Sequence, residues 1–342
     1  MSEPTDVIDA EMRAAVIDGV LSELHKRYIF PEVAQQMEEA IRRRTSNGEY
    51  DAITTAESLC AALTAHLQEV SHDKHLRLVY TAEPQPLDGA VEPSPAQVEE
   101  WRLTAALQNF GFEKVERLAG NVGYLDLRFF APPEWGGETA AAAMTMLAHT
   151  DALIVDLRES RGGSPQMIAL VSSYLFPGEP VHLNDLYWRE GDWMQQFWTL
   201  PYVPGRRYGE KPVYVLTSRE TFSGSEEFSN NLKVLKRATL IGETTGGGAH
   251  PVGGFPIAAH IAAHIPVGRA INPVTGTNWE GTGVIPDVDV PREDAFAVAY
   301  RAALTHVLEM IGDTPRGSLS GQREAAQHAL ADLDGREGPP RE

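Results

Sequence analysis

The sequence predicts an α/β protein in which a small helical unit precedes a larger layer of mostly parallel strands. From Asp6 to about Glu69 apolar residues recur at helical spacing, whereas beyond Phe112 short β-rich apolar runs alternate with helical stretches. The 342 residues, 42% hydrophobic and 23% charged, suffice for roughly two domains with buried cores.

Taken in order, Val16, Ile17, Val20, Leu21 and Leu24 fall on one face of a first helix. Pro31 suits the first turn of a second helix carrying Val33, Met37 and Ile41, and a third carries Leu59, Leu63 and Leu67. These form an expected helical domain over 1–80, ending in VSHDKHLRLVY, Val70 to Tyr80, where Leu76 and Leu78 share one face of a strand. Thr81 to Pro95, rich in Pro and acids without period, predicts a surface loop that opens a linker and connecting helix over 81–116. The α/β core is expected over 117–312, with strands at 121–130, 152–157 and 212–217 and helices at 138–148 and 225–236. Residues 250–290, rich in Gly and Pro, read as hairpins and loops laid against the sheet, and 293–311 as a last helix carrying Phe296, Val298, Leu304, Val307 and Leu308. The remainder, 313–342, reads as a mobile tail with at most one short helix.

Charge and cysteine content narrow the function. With 48 acidic against 29 basic residues the formal charge is -19, which repels phosphate backbones and anionic lipid, so neither nucleic acid nor membrane is an expected partner. The single cysteine, Cys60, offers neither a disulfide nor a zinc pattern, and the histidines lack HExxH spacing. No metal and no cofactor are expected. The acidic N-terminus lacks the basic lead and apolar run of a secretory signal, and no apolar run is long enough to span a bilayer, which favours a cytoplasmic location.

Thr217 to Pro251, TSRETFSGSEEFSNNLKVLKRATLIGETTGGGAHP, carries the densest chemistry. A strand ends at Thr217, a tight turn holds Ser223, Gly224 and Ser225, and a helix begins. That arrangement displays a serine hydroxyl at a helix N-terminus, where free N–H groups favour a developing oxyanion. Ser223 with Glu226 three residues later is equally the capping box of an ordinary helix. A second stretch, ALIVDLRESRGGSP, ends a strand in Asp156 and Arg158 and places Gly162 and Gly163 before a helix. Paired glycines let backbone N–H groups approach a substrate, so this loop and Gly224 are the candidate oxyanion hole; the same glycines also suit a plain strand-to-helix turn. Neither this run nor Gly246 to Gly248 is followed by the Lys-Ser/Thr pair of a phosphate loop.

Together DLRESRGG, TFSGSEEF and RATLIGETTGGG resemble the tail-specific, or C-terminal processing, serine peptidase family, in its branch of interphotoreceptor retinoid-binding protein and bacterial relatives. The resemblance spans roughly Ser71 to Val290. It implies a crotonase-like α/β core behind a three-helix N-terminal domain, without a PDZ insertion, and it puts Ser223 on the nucleophile position, with Ser160 where the family usually has Asn. One departure is Gly248, which stands where the processing branch carries its lysine base; Lys233 and Lys236 sit at the wrong offsets.

A base must then come from elsewhere, and an imidazole suits proton abstraction from serine. His75, in Asp73-Lys74-His75, matches the family's D-x-H element. His72, preceded by Ser71, resembles the Ser-His pair of the tricorn protease, and His250 is a rival near the serine. Any of the three also reads as a histidine holding a backbone carbonyl. Glu280, after Trp279 in a Gly-rich turn, resembles the tricorn-type glutamate that orients the base, while Asp287 reads as a turn residue. Trp188, Trp193 and Trp198 lie in an aromatic-rich stretch that suits either an apolar substrate groove or a packed hairpin. The expected activity is a serine peptidase acting on a peptide or protein. The alternatives are a non-catalytic binder of a hydrophobic small molecule and an acyl-transfer or cyclising enzyme.

Overall fold

The computed structural model describes residues 7–85, 93–313 and 317–336. In chain order its elements are α1 (Ala10–Arg27), α2 (Pro31–Ser46), α3 (Ala56–Ser71), β1 (Arg77–Tyr80), α4 (Pro95–Leu107), β2 (Phe112–Leu118), β3 (Val122–Leu127) and α5 (Pro133–Leu147). There follow β4 (Ala152–Asp156), α6 (Pro165–Leu175), β5 (His182–Trp188), β6 (Trp193–Trp198), β7 (Val213–Thr217), α7 (Gly224–Val234) and β8 (Thr239–Gly242). The last are β9 (Val252–Ala258), β10 (Ile261–Pro266), β11 (Gly268–Ile271), β12 (Val288–Asp289), α8 (Ala295–Ile311) and α9 (Ser318–Arg336). Among the described residues no helix is long and apolar enough to cross a membrane.

The chain divides into two compact units, and neither is a continuous stretch. The first takes the chain up to Val98 together with Asp185–Gln195 and Gly248–Ile271. Its helices begin where local chemistry dictates: Asp9 accepts the Met12 N–H at 2.8 Å, Pro31 opens α2, and Thr55 accepts the Ser58 N–H at 3.2 Å. The apolar stripes of α1 to α3 then pack with Leu76, with Leu78 of β1 and with Phe255, Ile261, Ala263 and Ile265. This unit is therefore more than the helical domain expected over 1–80. The hairpin β9–β10, expected against the core sheet, instead continues β1 into an antiparallel sheet in which Arg77 faces His264 and Tyr80 faces Ile261. The physical reason lies in β1: its inward Leu78 covers one side only, and the strand needs a hydrogen-bonded neighbour that local sequence does not supply. β11 pairs antiparallel with β5, and β6 completes that sheet.

The second unit is built on a six-stranded sheet of order β12-β8-β7-β4-β3-β2, parallel throughout except for the β2–β3 pair. Val122, Ile154, Leu216 and Ile241 bury one sheet face under α8 and α9. The parallel strands read as continuous apolar runs because helices cover the sheet; β4 is buried along its whole length. The expected strands at 121–130, 152–157 and 212–217 are thus present as β3, β4 and β7, shortened at their ends.

The stretch 313–342 differs from the mobile tail expected for it. Ser318–Arg336 is a 19-residue helix, with Ala326 and Leu333 buried in the α8 core. Its polar composition hides a stripe of Ala326, Ala329, Leu330 and Leu333 at one-face helical spacing. Residues 314–316 and 337–342, and residues 86–92 of the expected surface loop, lie outside the described residues.

Candidate active site

Three adjacent parallel strands set the geometry of the second unit. Because β4, β7 and β8 are hydrogen-bonded neighbours running the same way, the segments leaving their C-terminal ends must meet, however far apart they are in sequence. Those segments are 157–164, 218–224 and 243–247. The first two are stitched together: Thr221 Oγ1 donates to the Leu157 carbonyl at 2.8 Å, Ser218 Oγ to the Arg158 carbonyl at 2.5 Å, and the Phe222 N–H to the Ser160 carbonyl at 3.1 Å. Asp156 and Arg158 brace the first loop. The buried Asp156 carboxylate accepts from Arg158 Nε at 2.9 Å and Nη2 at 2.6 Å and from the Tyr124 hydroxyl at 2.8 Å.

Ser223 stands at the end of that turn with φ 55° and ψ -123°, a conformation that costs a non-glycine residue about 1–3 kcal/mol and persists only where its surroundings enforce it. It is half-buried, and α7 starts at the next residue. Ser225 differs in kind. It is fully buried, its Oγ lies 2.7 Å from Ser160 Oγ, and it accepts the Gly162 N–H at 2.9 Å. Ser225 and Ser160 thereby anchor the glycine loop, and Gly162 spends its N–H on that anchor. The loop's free contribution falls to Gly163. Its nitrogen lies 2.9 Å from where a Cβ on Gly224 would sit, so the Gly163 backbone is packed against the first residue of α7. Gly162 and Gly163 take φ 96° and 136°, which side-chain-bearing residues rarely adopt.

Glu226, read from sequence as a helix cap, does more than cap. Fully buried, its Oε2 accepts the Ser223 N–H at 2.8 Å, and its Oε1 accepts Thr245 Oγ1 at 2.5 Å and the Gly247 N–H at 2.7 Å. The Gly247 carbonyl in turn accepts the Gly281 N–H at 3.2 Å, beside Glu280 in a turn closed by the Gly283 N–H on the Trp279 carbonyl at 2.9 Å. Asp287 is a turn residue: its carboxylate accepts the Leu240 N–H at 2.8 Å, and Lys233 lies 3.2 Å from it on the surface.

In the first unit, Asp73 is the hub of a second polar cluster. Fully buried after α3, it accepts the His75 N–H on Oδ1 at 3.0 Å, pairs with His250 Nδ1 through Oδ2 at 2.7 Å, and receives the Tyr28 hydroxyl at 3.3 Å. The Phe30 ring meets His250 edge-on at 5.5 Å. Burial pushes the His75 imidazole down to about 4; the Asp73 charge opposes this, while His250 and Arg77 add to it. His72, by contrast, is exposed, caps α3 in the left-handed conformation at φ 55°, and gives its N–H to the Gln68 carbonyl at 2.8 Å. Ser71 Oγ accepts the Asp73 N–H at 3.2 Å and so shapes the same turn.

A model of peptidase family S41 matches residues 121–290, and a model of the N-terminal domain of the S41 peptidase in eukaryotic IRBP matches residues 9–113. The chain belongs to peptidase family S41. A carboxy-terminal-processing protease from Bartonella bacilliformis is 29% identical over 214 residues, 61% of this chain and 46% of that protein, so the chain spans about half the length of that curated relative. Among solved structures, a lipoprotein from Streptococcus agalactiae aligns over 86% of this chain and 96% of its own, at TM-score 0.56 and 13% identity. The photosystem II D1 C-terminal processing protease aligns over 84% and 94%, at TM-score 0.51 and 15% identity. At such identities the likeness is one of fold.

Within this S41 chain the aromatic residues are divided. Trp188 and Trp193 stack at 5.9 Å in the first unit, while Trp198 stacks on His182 at 4.2 Å in the second; Trp193 and Trp198 are both exposed. Sequence reasoning overlooked the Ser160–Ser225–Gly162 relay and the reach of Asp73 to His250. The DKH motif marked Asp73, but its partner lies 177 positions away.

Proposed function

We propose that this S41 chain is a serine peptidase in which Ser223 is the nucleophile, His75 the base and Glu280 the residue that orients the base. The observation that carries the reading is Ser223 itself, a strained, half-buried serine at a helix start, set against a glycine loop that packs closely on Ser223 and Gly224. Ser223 Oγ attacks the substrate carbonyl while His75 takes its proton, and Gly163 and Gly224 donate to the oxyanion. His75 then returns the proton to the leaving amine, and water hydrolyses the acyl-enzyme by the reverse sequence. Burial favours the neutral imidazole, so a carboxylate is needed to stabilise the imidazolium that forms. That is the task assigned to Glu280. The exposed Trp193 and Trp198 are proposed to meet apolar parts of a peptide or protein substrate. A crotonase-like core without a PDZ domain belongs to the same reading, as does a reducing, cytoplasmic location consistent with a chain whose single cysteine, Cys60, is buried.

A fluorophosphonate tests this directly. One equivalent is expected to add to the peptide containing Ser223, with the adduct on Ser223. Folded protein that takes no adduct would favour the binder of hydrophobic small molecules. An adduct on Ser225 would contradict its role as a buried anchor.

A further inference from the structure

We propose that Glu226 is a positioning residue for the nucleophile, one carboxylate that fixes the Ser223 backbone, the Thr245–Gly247 segment and, through Gly247, the turn bearing Glu280. The inference rests on the reading of Ser223 as nucleophile. A helix cap requires only the first of the bonds Glu226 makes, the reach back to the Ser223 N–H. The bonds from Thr245 Oγ1 and the Gly247 N–H come from the segment after β8, outside the helix altogether, and add nothing to capping. Thr245 is itself held on the Glu280 side, since its Oγ1 accepts the Val284 N–H at 2.7 Å and its N–H donates to the Val284 carbonyl at 3.3 Å. Glu226 therefore sits where the nucleophile turn and the Glu280 turn are cross-linked. It is also the local restraint on a residue whose backbone conformation does not persist unaided.

The chemistry of the site makes glutamine a sharp probe. All the bonds described are donated to Glu226, and a carboxylate accepts on both oxygens. A glutamine amide accepts on one side only. With its oxygen toward Thr245 and Gly247, its NH₂ faces the Ser223 N–H; flipped, its NH₂ faces the Gly247 N–H. Either orientation sets a donor against a donor in a buried place, so Glu226→Gln releases one of the two turns with almost no change in volume.

The experiment measures the rate of fluorophosphonate addition at Ser223, per folded molecule, with kcat and KM for an activated ester. Glu226→Gln is expected to slow addition by about 100-fold, the scale of an ångström-level misplacement of a reacting group, and to lower kcat far more than it raises KM. The adduct stays on Ser223. A purely structural role predicts a lower Tm with an unchanged rate per folded molecule, and a Glu226→Gln rate within about twofold of the parent would overturn the proposal. If Glu226→Gln does not fold, Thr245→Val removes one donor while leaving the Ser223 bond. It should slow addition about tenfold, with Thr245→Ser restoring most of the loss, and an unchanged Thr245→Val rate would be equally fatal. Failure of the parent protein to label at Ser223 is a different result: it removes the nucleophile assignment, and this inference with it.

Discussion

Replacing His75 with alanine is expected to lower ester turnover on the order of 10⁴- to 10⁶-fold, and Glu280→Ala to be less severe by roughly 10- to 100-fold. The inequality follows from the roles. Without the imidazole nothing accepts the Ser223 proton, whereas without the carboxylate the base survives but is poorly oriented and poorly compensated when charged. Gly248 sharpens the test, because the sequence resemblance puts it where the processing branch carries a lysine base. A lysine base works only in a desolvated pocket that lowers its pKa by several units toward neutrality, and an imidazole site need not provide one. The His75→Ala/Gly248→Lys double mutant is therefore expected to stay as inactive as His75→Ala. Unchanged activity in His75→Ala, or full recovery in the double mutant, would refute the histidine mechanism.

The same assignment fixes a pH dependence. The base must be neutral to act, so activity is lost as pH falls through its pKa. Burial holds His75 near 4 rather than at its ordinary 6.5. The acid limb of kcat/KM is expected near pH 4 to 5, and a limb at 6.5 would point to a more exposed imidazole. Stability moves in the same direction. Between pH 6.5 and about 4 the unfolded chain binds a proton at this position that the folded chain refuses, so unfolding becomes easier as the pH drops and the effect saturates below the folded pKa. Urea titrations across that window, with and without His75→Gln, measure it.

What the sequence reveals and what it hides differ by range. The strands β3, β4 and β7 are legible because a parallel sheet covered by helices demands unbroken apolar runs, and Leu153 to Val155 need no distant information. Ser223, Gly162 and Gly163 are legible as a set because their local turns carry glycine and serine at positions that few other residues tolerate. The partition of the chain is not legible. Gly248–Ile271 joins the first unit because Ile261, Ala263 and Ile265 complete the helical core, a choice made by hydrogen-bond pairing with a strand far upstream. The roles of Ser225, Glu226 and Asp73 are hidden for the same reason. Each is set by a partner on another segment, so Glu226 reads as a cap, Ser225 as a neighbour of the nucleophile and Asp73 as part of a motif. α9 is hidden by composition, since its buried stripe is largely alanine and its surroundings are polar.

Gly162→Ala is expected to lower kcat about 100- to 1,000-fold, the scale of losing one oxyanion donor, with a smaller change in KM. The glycine sits at φ 96°, and a Cβ there would lie 2.6 Å from Gly224 N, 2.8 Å from Ser223 Cβ and 2.9 Å from the Phe222 carbonyl oxygen. None of these is the far end of a flexible side chain, so the strain cannot be relieved by a rotamer change. The new methyl would crowd the Gly224 N–H at the site where negative charge develops and push against the nucleophile's own Cβ. Gly178 supplies the control, because nothing lies within 4 Å of a Cβ added there, and Gly178→Ala should leave kcat unaltered. Backbone strain at φ 96° should also cost about 1–3 kcal/mol, seen as a lower Tm, but turnover per folded molecule separates that cost from the catalytic one. Should Gly162→Ala not fold, Ser225→Ala removes the hydroxyl that holds the Gly162 N–H without adding an atom, and a fall of about tenfold in kcat is expected. A kcat within about threefold of the parent in Gly162→Ala would mean that this loop does not border the oxyanion, and the donors would have to be sought away from the end of β4.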